Sequence, residues 1–318
     1  METPQPQILG PLRLPQNAIP VLDADEEVFL LYTRLAALKP ADADDSGHFR
    51  GLGFLDSNED SLTVTVELEP PRDLQLSQLL AKGTGRSKRR NAKRSSKAKD
   101  SAVSLGFELF QDKTALRSRS GDTGSVLWRA SIDFLKLVLG QHHFPDPDAL
   151  FDSTTLSQSH TLELGAGTGL LAVALGPLVR RYTATDIPAL VPLLRKNLSH
   201  ARSQPDTTAT ALDWAHPPVR QLPAAVLADP ADLLLVVDCI YHPALVPPLL
   251  DTISALAVPR RTAVLVVSEL RAEDVVRTFL EGWLARANEV WRIWSVGGDG
   301  EGALMGARYA VWVGWRES

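Results

Sequence analysis

The chain has 318 residues, 44% hydrophobic and 22% charged, with a formal net charge of −5. That is an ordinary globular composition, long enough for one large domain and an extension. No apolar run reaches the ~20 residues of a membrane span, and Cys239 is the only cysteine, which excludes an internal disulfide and a cysteine-rich zinc site.

The charge is uneven. Nine Lys and Arg lie between Lys82 and Lys99 with no acid among them, and without these nine the formal charge falls from −5 to −14. An acidic body with one basic segment suits a basic protein substrate. The basic segment could instead neutralise phosphates of a ribosome or nucleic acid, or be a solvated loop or nuclear-import signal. Met1 to Pro20 has no basic region followed by a long apolar core, so a secretory signal is not expected. A reducing compartment is the simplest setting for a single cysteine. The expected location is cytoplasmic, with the nucleus second, and the expected state is a monomer with no membrane partner and no metal.

In chain order, Met1 to Pro20 carries many prolines and reads as extended or disordered. Asp23 and Asp25 can cap a helix over Glu26 to Leu38, which Lys39-Pro40 ends. Gly51 to Leu55 and Leu62 to Leu68 read as paired strands around Asn58-Glu59-Asp60, the second alternating Leu62, Val64, Val66 and Leu68 inward. Leu74 to Leu80 reads as a short helix. Residues 83–100 form a low-complexity basic insert whose composition predicts disorder. Val103 to Leu109 alternates again and could complete a small sheet with the earlier pair. The expected division is a helix-and-hairpin extension over 1–120 and a second domain over 121–318.

Leu127 to Leu139 has helical spacing, and His142 to Ser159 reads as a polar loop. Strands are then expected at Thr161–Leu164, Tyr182–Thr185, Thr208–Leu212, Leu233–Asp238 and Thr262–Ser268. Helices fall around 170–179, 188–199, 243–257 and Glu273 to Ala287. Val290–Ser295 and Arg308–Trp315 close the chain as two strands. This alternation predicts an α/β fold. Its doubly wound, mostly parallel sheet ends in an antiparallel pair, and the ligand sits at the carboxyl ends of the strands.

Thr161-Leu-Glu-Leu-Gly-Ala-Gly-Thr-Gly-Leu170 is the centre of that pattern. Strand, glycine turn and helix is a nucleotide-binding arrangement, since glycines turn sharply and admit a ligand close to the backbone. The spacing is Gly-x-Gly-x-Gly, not the dinucleotide Gly-x-Gly-x-x-Gly. Glu163, just before the turn, would repel a pyrophosphate but could neutralise a cation or an amino group. Both details favour S-adenosylmethionine over a nicotinamide dinucleotide. Asp186, seventeen residues after Gly169, is placed for a ribose, or for a helix cap ahead of Ile187-Pro188. Trp214, after the third strand, could pack on an adenine or belong to the core. Trp128 reads as core from the residues alone.

Asp238-Cys239-Ile240-Tyr241-His242 follows the fourth strand. A carboxylate and a phenol there could hold an incoming amine. Methyl transfer is an in-line displacement that needs mainly positioning and desolvation. His242 reads as a solvated loop residue, and Cys239 adjoins no base that would make it a nucleophile.

Five runs occur in order: Gly124-Ser-Val-Leu-Trp128, Glu163-Leu-Gly-Ala-Gly-Thr-Gly169, Thr185-Asp-Ile-Pro188 with Leu193-Leu-Arg-Lys-Asn197, Leu212-Asp-Trp214, and Asp238-Cys-Ile-Tyr241. Together, over about 120–318, they resemble the seven-strand, S-adenosylmethionine-dependent protein-lysine methyltransferases of the family-16 type. The resemblance implies a Rossmann-like class I fold with seven strands. It implies that Trp128, Glu163, Gly165, Ala166, Gly167, Asp186, Trp214 and Val237 surround the cofactor, and that Asp238 and Tyr241 shape the lysine channel. Leu62-Thr-Val-Thr-Val-Glu-Leu-Glu-Pro70, Gly85-Arg-Ser-Lys-Arg-Arg-Asn91, Leu116-Arg-Ser and Ser268-Glu-Leu-Arg271 are similar to the fungal ribosomal-lysine branch of that family. That branch implies a ribosomal protein partner and monomethylation of a large-subunit protein of the L1 (uL1) type. Another protein, a small molecule or a nucleic acid as acceptor, and a non-catalytic cofactor-binding module, stay open as alternatives.

Overall fold

A computed structural model describes residues 8–38, 49–50, 54–55, 61–70, 102–112, 124–146, 148–203, 206–297 and 304–317. The expectations for residues 74–80, for the basic insert 83–100 and for the 58–60 turn lie outside these. The strands are β1 (Ile8–Leu9), β2 (Leu12–Arg13), β3 (Ile19–Pro20), β4 (Phe49–Arg50), β5 (Phe54–Leu55), β6 (Ser61–Leu68), β7 (Val103–Phe110), β8 (His160–Leu164), β9 (Arg181–Asp186), β10 (Thr207–Ala211), β11 (Leu233–Val237), β12 (Ala263–Glu269), β13 (Trp291–Ser295) and β14 (Tyr309–Arg316). The helices are α1 (Ala24–Ala36), α2 (Arg129–His143), α3 (Ser153–Gln158), α4 (Leu170–Leu175), α5 (Val191–His200), α6 (Ala224–Leu227), α7 (Val246–Leu256) and α8 (Glu273–Leu284).

The main sheet runs β10-β9-β8-β11-β12-β14-β13-β3. The first five strands are parallel, and β14, β13 and β3 join antiparallel. Parallel strands covered on both faces should be apolar throughout, and Leu233-Leu-Leu-Val-Val237 is buried at every position. Alternate residues feed two cores. Leu233, Leu235 and Val237 face the core under α2 and α4, while Leu234 and Val236 face the one under α7 and α8. The sheet has eight strands rather than seven because Ile19–Pro20 adds a two-residue edge to β13.

Asp23 caps α1 by accepting from Glu26 N–H at 2.9 Å, and Asp25, Glu26 and Glu27 sit favourably in its first turn. Glu27 is buried and accepts from Trp312 Nε1 at 2.9 Å, which pins α1 to β14. β6 pairs antiparallel with β7 over eight residues, Ser61↔Phe110 to Leu68↔Val103. The expected pairing of β6 with 51–55 is corrected, since Phe54–Leu55 pairs instead with Phe49–Arg50. The β6–β7 hairpin buries Val64, Val66 and Leu68 in the same core as α2. The 142–159 region is not all loop: Asp152 caps α3 by accepting from Thr155 N–H at 2.9 Å.

Candidate functional site

The turn after β8 holds three left-handed glycines: Gly165 (φ 71°), Gly167 (56°) and Gly169 (80°). A Cβ on Gly165 would stand 2.7 Å from Cys239 Sγ and 3.2 Å from the Trp214 ring, so glycine is required by space as well as by φ. Neighbouring strands fix the turn. Ala166 N–H donates to Thr185 carbonyl at 3.0 Å and Gly167 N–H to Asp186 Oδ2 at 2.8 Å. From α5, the fully buried Asn197 donates to the carbonyls of Thr168 (2.7 Å) and Phe110 (3.0 Å), and its Oδ1 accepts from Phe110 N–H. One side chain thus ties the β6–β7 hairpin to the glycine turn.

Asp186 ends β9. Its Oδ1 accepts from Ile187 N–H at 2.7 Å, so it caps the next turn and braces Gly167 at once. Glu163 is 3% exposed and accepts from Tyr182 Oη–H at 2.8 Å. Burial pushes its carboxyl up to about 8; the Tyr182 hydrogen bond opposes this and the negative Asp186 adds to it. A cation arriving here would be paired by an acid that is otherwise unwilling to ionise. Trp214 leans over Gly165, and its buried indole N–H has no partner among the described residues.

On the other side of the strand ends, Asp238 follows β11 with a left-handed backbone, φ 59°. Its side chain is 5% exposed. Both carboxylate oxygens accept from Arg271, Oδ1 from Nη1 and Oδ2 from Nη2, each at 2.7 Å. Arg271 Nη2 also donates to Glu269 Oε2 at 2.8 Å, and the guanidinium lies 5.2 Å from the centroid of the Trp128 indole. Burial works against the Arg271 charge, but the Asp238 hydrogen bond and charge outweigh it and hold the guanidinium pKa above its ordinary value. Glu269 is pushed up by burial. Tyr309, its partner on β14, donates to Asp133 of α2 at 2.5 Å.

The structure therefore gathers Glu163, Gly165, Gly167, Asp186 and Trp214 about the glycine turn, and joins Trp128 to Asp238 through Arg271. Ala166 and Val237 are buried beside their strand ends. Tyr241 is the one exposed side chain among the ten residues the sequence nominated. Cys239 is buried, and burial raises its thiol pKa well above the usual value, which suits packing rather than attack. His242 is exposed, and its Nδ1 accepts from Ala244 N–H at 3.2 Å. The sequence reading gave Arg271 no role and did not single out Glu269, Tyr182 or Asp133. Ser268-Glu-Leu-Arg271 was the only available signal for the first two.

These features suit S-adenosylmethionine. The left-handed glycines keep the turn free of side chains beside Trp214, Asp186 puts a carboxylate at the end of β9, the Trp214 N–H lacks an acceptor among the described residues, and Glu163 would answer an amino group.

A family model described as lysine methyltransferase matches residues 111–283, more than half of the chain. Three curated relatives frame this. The chain is 33% identical over 236 residues to ribosomal lysine N-methyltransferase 5 of Eremothecium gossypii, covering 57% of this chain and 73% of that protein. It is 34% identical over 90 residues to protein-lysine N-methyltransferase EFM6 of Saccharomyces cerevisiae, covering 25% and 37%. It is 29% identical over 236 residues to a diaminohydroxyphosphoribosylamino-pyrimidine deaminase of Schizosaccharomyces pombe, covering 72% and 52%. The chain thus spans about half of the last protein's length and just over a third of EFM6. A zinc deaminase site needs a Cys-x-x-Cys pair, which a chain with one cysteine does not have. The family match falls on the segment that holds the glycine turn, Asp186, Trp214 and Asp238: this protein belongs to the lysine methyltransferase family, and its cofactor is S-adenosylmethionine.

Proposed function

We propose that this chain is a protein-lysine N-methyltransferase that adds one methyl group to a lysine of a large-subunit ribosomal protein of the L1 (uL1) type. The observation that carries the reading is the 33% identity to a ribosomal lysine N-methyltransferase over 73% of that enzyme's length. Bound S-adenosylmethionine supplies a methyl group on a sulfonium. The chain's own residues hold and orient. Asp186 and the glycine turn fix the nucleoside end, and Glu163 meets the amino-acid end. Asp238 and Tyr241 line the approach of the acceptor. A lysine amine, ordinarily protonated with a pKa of about 10.4, must arrive neutral, and desolvation at the buried strand ends favours that form. Tyr241, half open to solvent, can orient the amine with its hydroxyl. Basic residues 82–99 would neutralise phosphates of the ribosome. The setting is the cytoplasm, with the nucleus as a second compartment.

The test uses purified protein, S-adenosylmethionine labelled on its methyl group, and extract from cells lacking the gene, with Asp186→Ala beside it. One labelled band at the size of the L1-type protein, absent with the variant, is the expected result. A band at another size keeps the reaction and discards the ribosomal acceptor. The 34% identity to EFM6 favours that second reading, another protein acceptor. Label in no protein would move the acceptor outside proteins.

A further inference from the structure

Arg271 touches three separate segments at the strand ends. It grips the Asp238 carboxylate two-by-two, donates to Glu269 at the end of β12, and lies against Trp128 at the start of α2. Trp128 is the residue from which α2 starts. Asp238 is one of four non-glycine residues with positive φ among the described residues. Such a conformation persists only where its surroundings hold it. Three ties do so here: Asp238 N–H donates to Val267 carbonyl at 2.7 Å, Glu269 N–H donates to Asp238 Oδ1 at 3.3 Å, and the fork of Arg271 fixes the carboxylate plane. Tyr241 leaves the same turn three residues later. The Tyr309–Asp133 hydrogen bond is a parallel tie between β14 and α2, so the start of α2 is docked on the strand ends by polar contacts on both sides.

We propose that Arg271 is a positioning residue that couples the acceptor wall, Asp238 and Tyr241, to the cofactor wall at Trp128. The inference rests on the cofactor and acceptor reading of this site. The guanidinium does what a point charge cannot: its planar fork satisfies both Asp238 oxygens while its charge stands over the indole, 5.2 Å from the ring centroid. Asp238, with both oxygens engaged, acts by orientation and not as the base that takes the lysine proton.

The experiment compares wild type, Arg271→Lys, Trp128→Phe and the double variant. It reads melting temperature, S-adenosylmethionine affinity by calorimetry, and kcat and KM for the labelled acceptor. Lysine keeps the charge but not the fork. The expected result is a folded Arg271→Lys protein with cofactor affinity weakened roughly tenfold and kcat lowered more than KM is raised. The double variant should lose no more affinity than Trp128→Phe alone, since residues that act through one another are not additive. Wild-type affinity and kcat in Arg271→Lys would overturn the proposal, as would losses that simply multiply. Should Arg271→Lys not fold, the neutral pair Asp238→Asn with Arg271→Gln takes its place, with the same roughly tenfold loss expected at a normal melting temperature. Unaltered affinity in that pair would overturn the proposal. Absence of S-adenosylmethionine binding by the wild type would instead sink the reading of the site, and this inference with it.

Discussion

Gly167 donates its backbone N–H to Asp186 Oδ2 at 2.8 Å, across nineteen residues. The contact makes one carboxylate serve two purposes. It holds the left-handed glycine turn in shape from the neighbouring strand, and it caps the turn that follows β9 by accepting from Ile187 N–H; under the proposed reading the ribose of the cofactor sits at this carboxylate.

Asp186→Ala should therefore lose more than ribose contacts. Gly167 N–H and Ile187 N–H both lose their acceptor. We expect cofactor affinity to fall at least ~100-fold, from two or more charge-assisted hydrogen bonds of about 1.5–3 kcal/mol each. Calorimetry on folded protein checks this, and normal affinity would remove Asp186 from the site.

Glu163 makes stability depend on pH. Its carboxyl is raised to about 8 in the fold, against an ordinary 4.5. Below 4.5 both states are protonated and nothing is lost. Between 4.5 and 8 the unfolded chain gives up a proton the folded one keeps, so stability falls as pH rises, and above 8 the full cost is present. Glu163→Gln removes the titration. Its melting temperature should match wild type near pH 4.5 and exceed it by an increasing margin toward pH 8, where the difference reaches a few kcal/mol at about 1.4 kcal/mol per unit. Melting curves of the cofactor-free protein across that range check it; parallel curves would contradict it.

Gly165→Ala should damage binding and fold together. The new methyl meets Cys239 Sγ at 2.7 Å and the Trp214 ring at 3.2 Å, at a φ of 71°. The backbone alone costs about 1–2 kcal/mol, and relief by moving Trp214 would open the cofactor wall. A drop in melting temperature and in Trp214 quenching by S-adenosylmethionine would be seen together.

Tyr241→Phe should separate the two walls. The ring is exposed, so the fold should be unmoved. Turnover should drop about tenfold or more with cofactor affinity within twofold, because the hydroxyl belongs to the proposed acceptor wall and not to the glycine turn. Equal losses of both would mark Tyr241 as structural.

Trp312→Phe tests how α1 is held. The indole N–H is the donor to the buried Glu27 carboxylate. Leaving that oxygen unmatched should cost about 1–3 kcal/mol, read as a lowered denaturation midpoint with cofactor affinity little changed.

Much of this was legible in the chain. Leu233-Leu-Leu-Val-Val237 could only be a strand buried on both faces, and Gly-x-Gly-x-Gly beside Glu163 marked the turn before any coordinate did. The pairing of β6 was not legible, since alternation shows which face of Leu62–Leu68 is apolar and not which strand lies beside it. Its partner begins 35 residues after Leu68, beyond the basic insert. The edge strand Ile19–Pro20 is too short to carry a pattern. Arg271 stood in view within Ser268-Glu-Leu-Arg271, but its grip on Asp238, 33 residues earlier, is a product of β11 and β12 lying side by side. Asn197 likewise looked like a helix residue, and its bonds to Thr168 and Phe110 exist only once α5 packs across the turn.

The most direct measurement of the central claim is amino-acid analysis of the methylated product. Protein labelled from S-adenosylmethionine by the wild-type chain is hydrolysed completely and its labelled residue identified. The account predicts label in Nε-monomethyl-lysine, and none when Asp186→Ala is used. Label in methyl-arginine, methyl-histidine or a terminal amine, or in no amino acid at all, would contradict it.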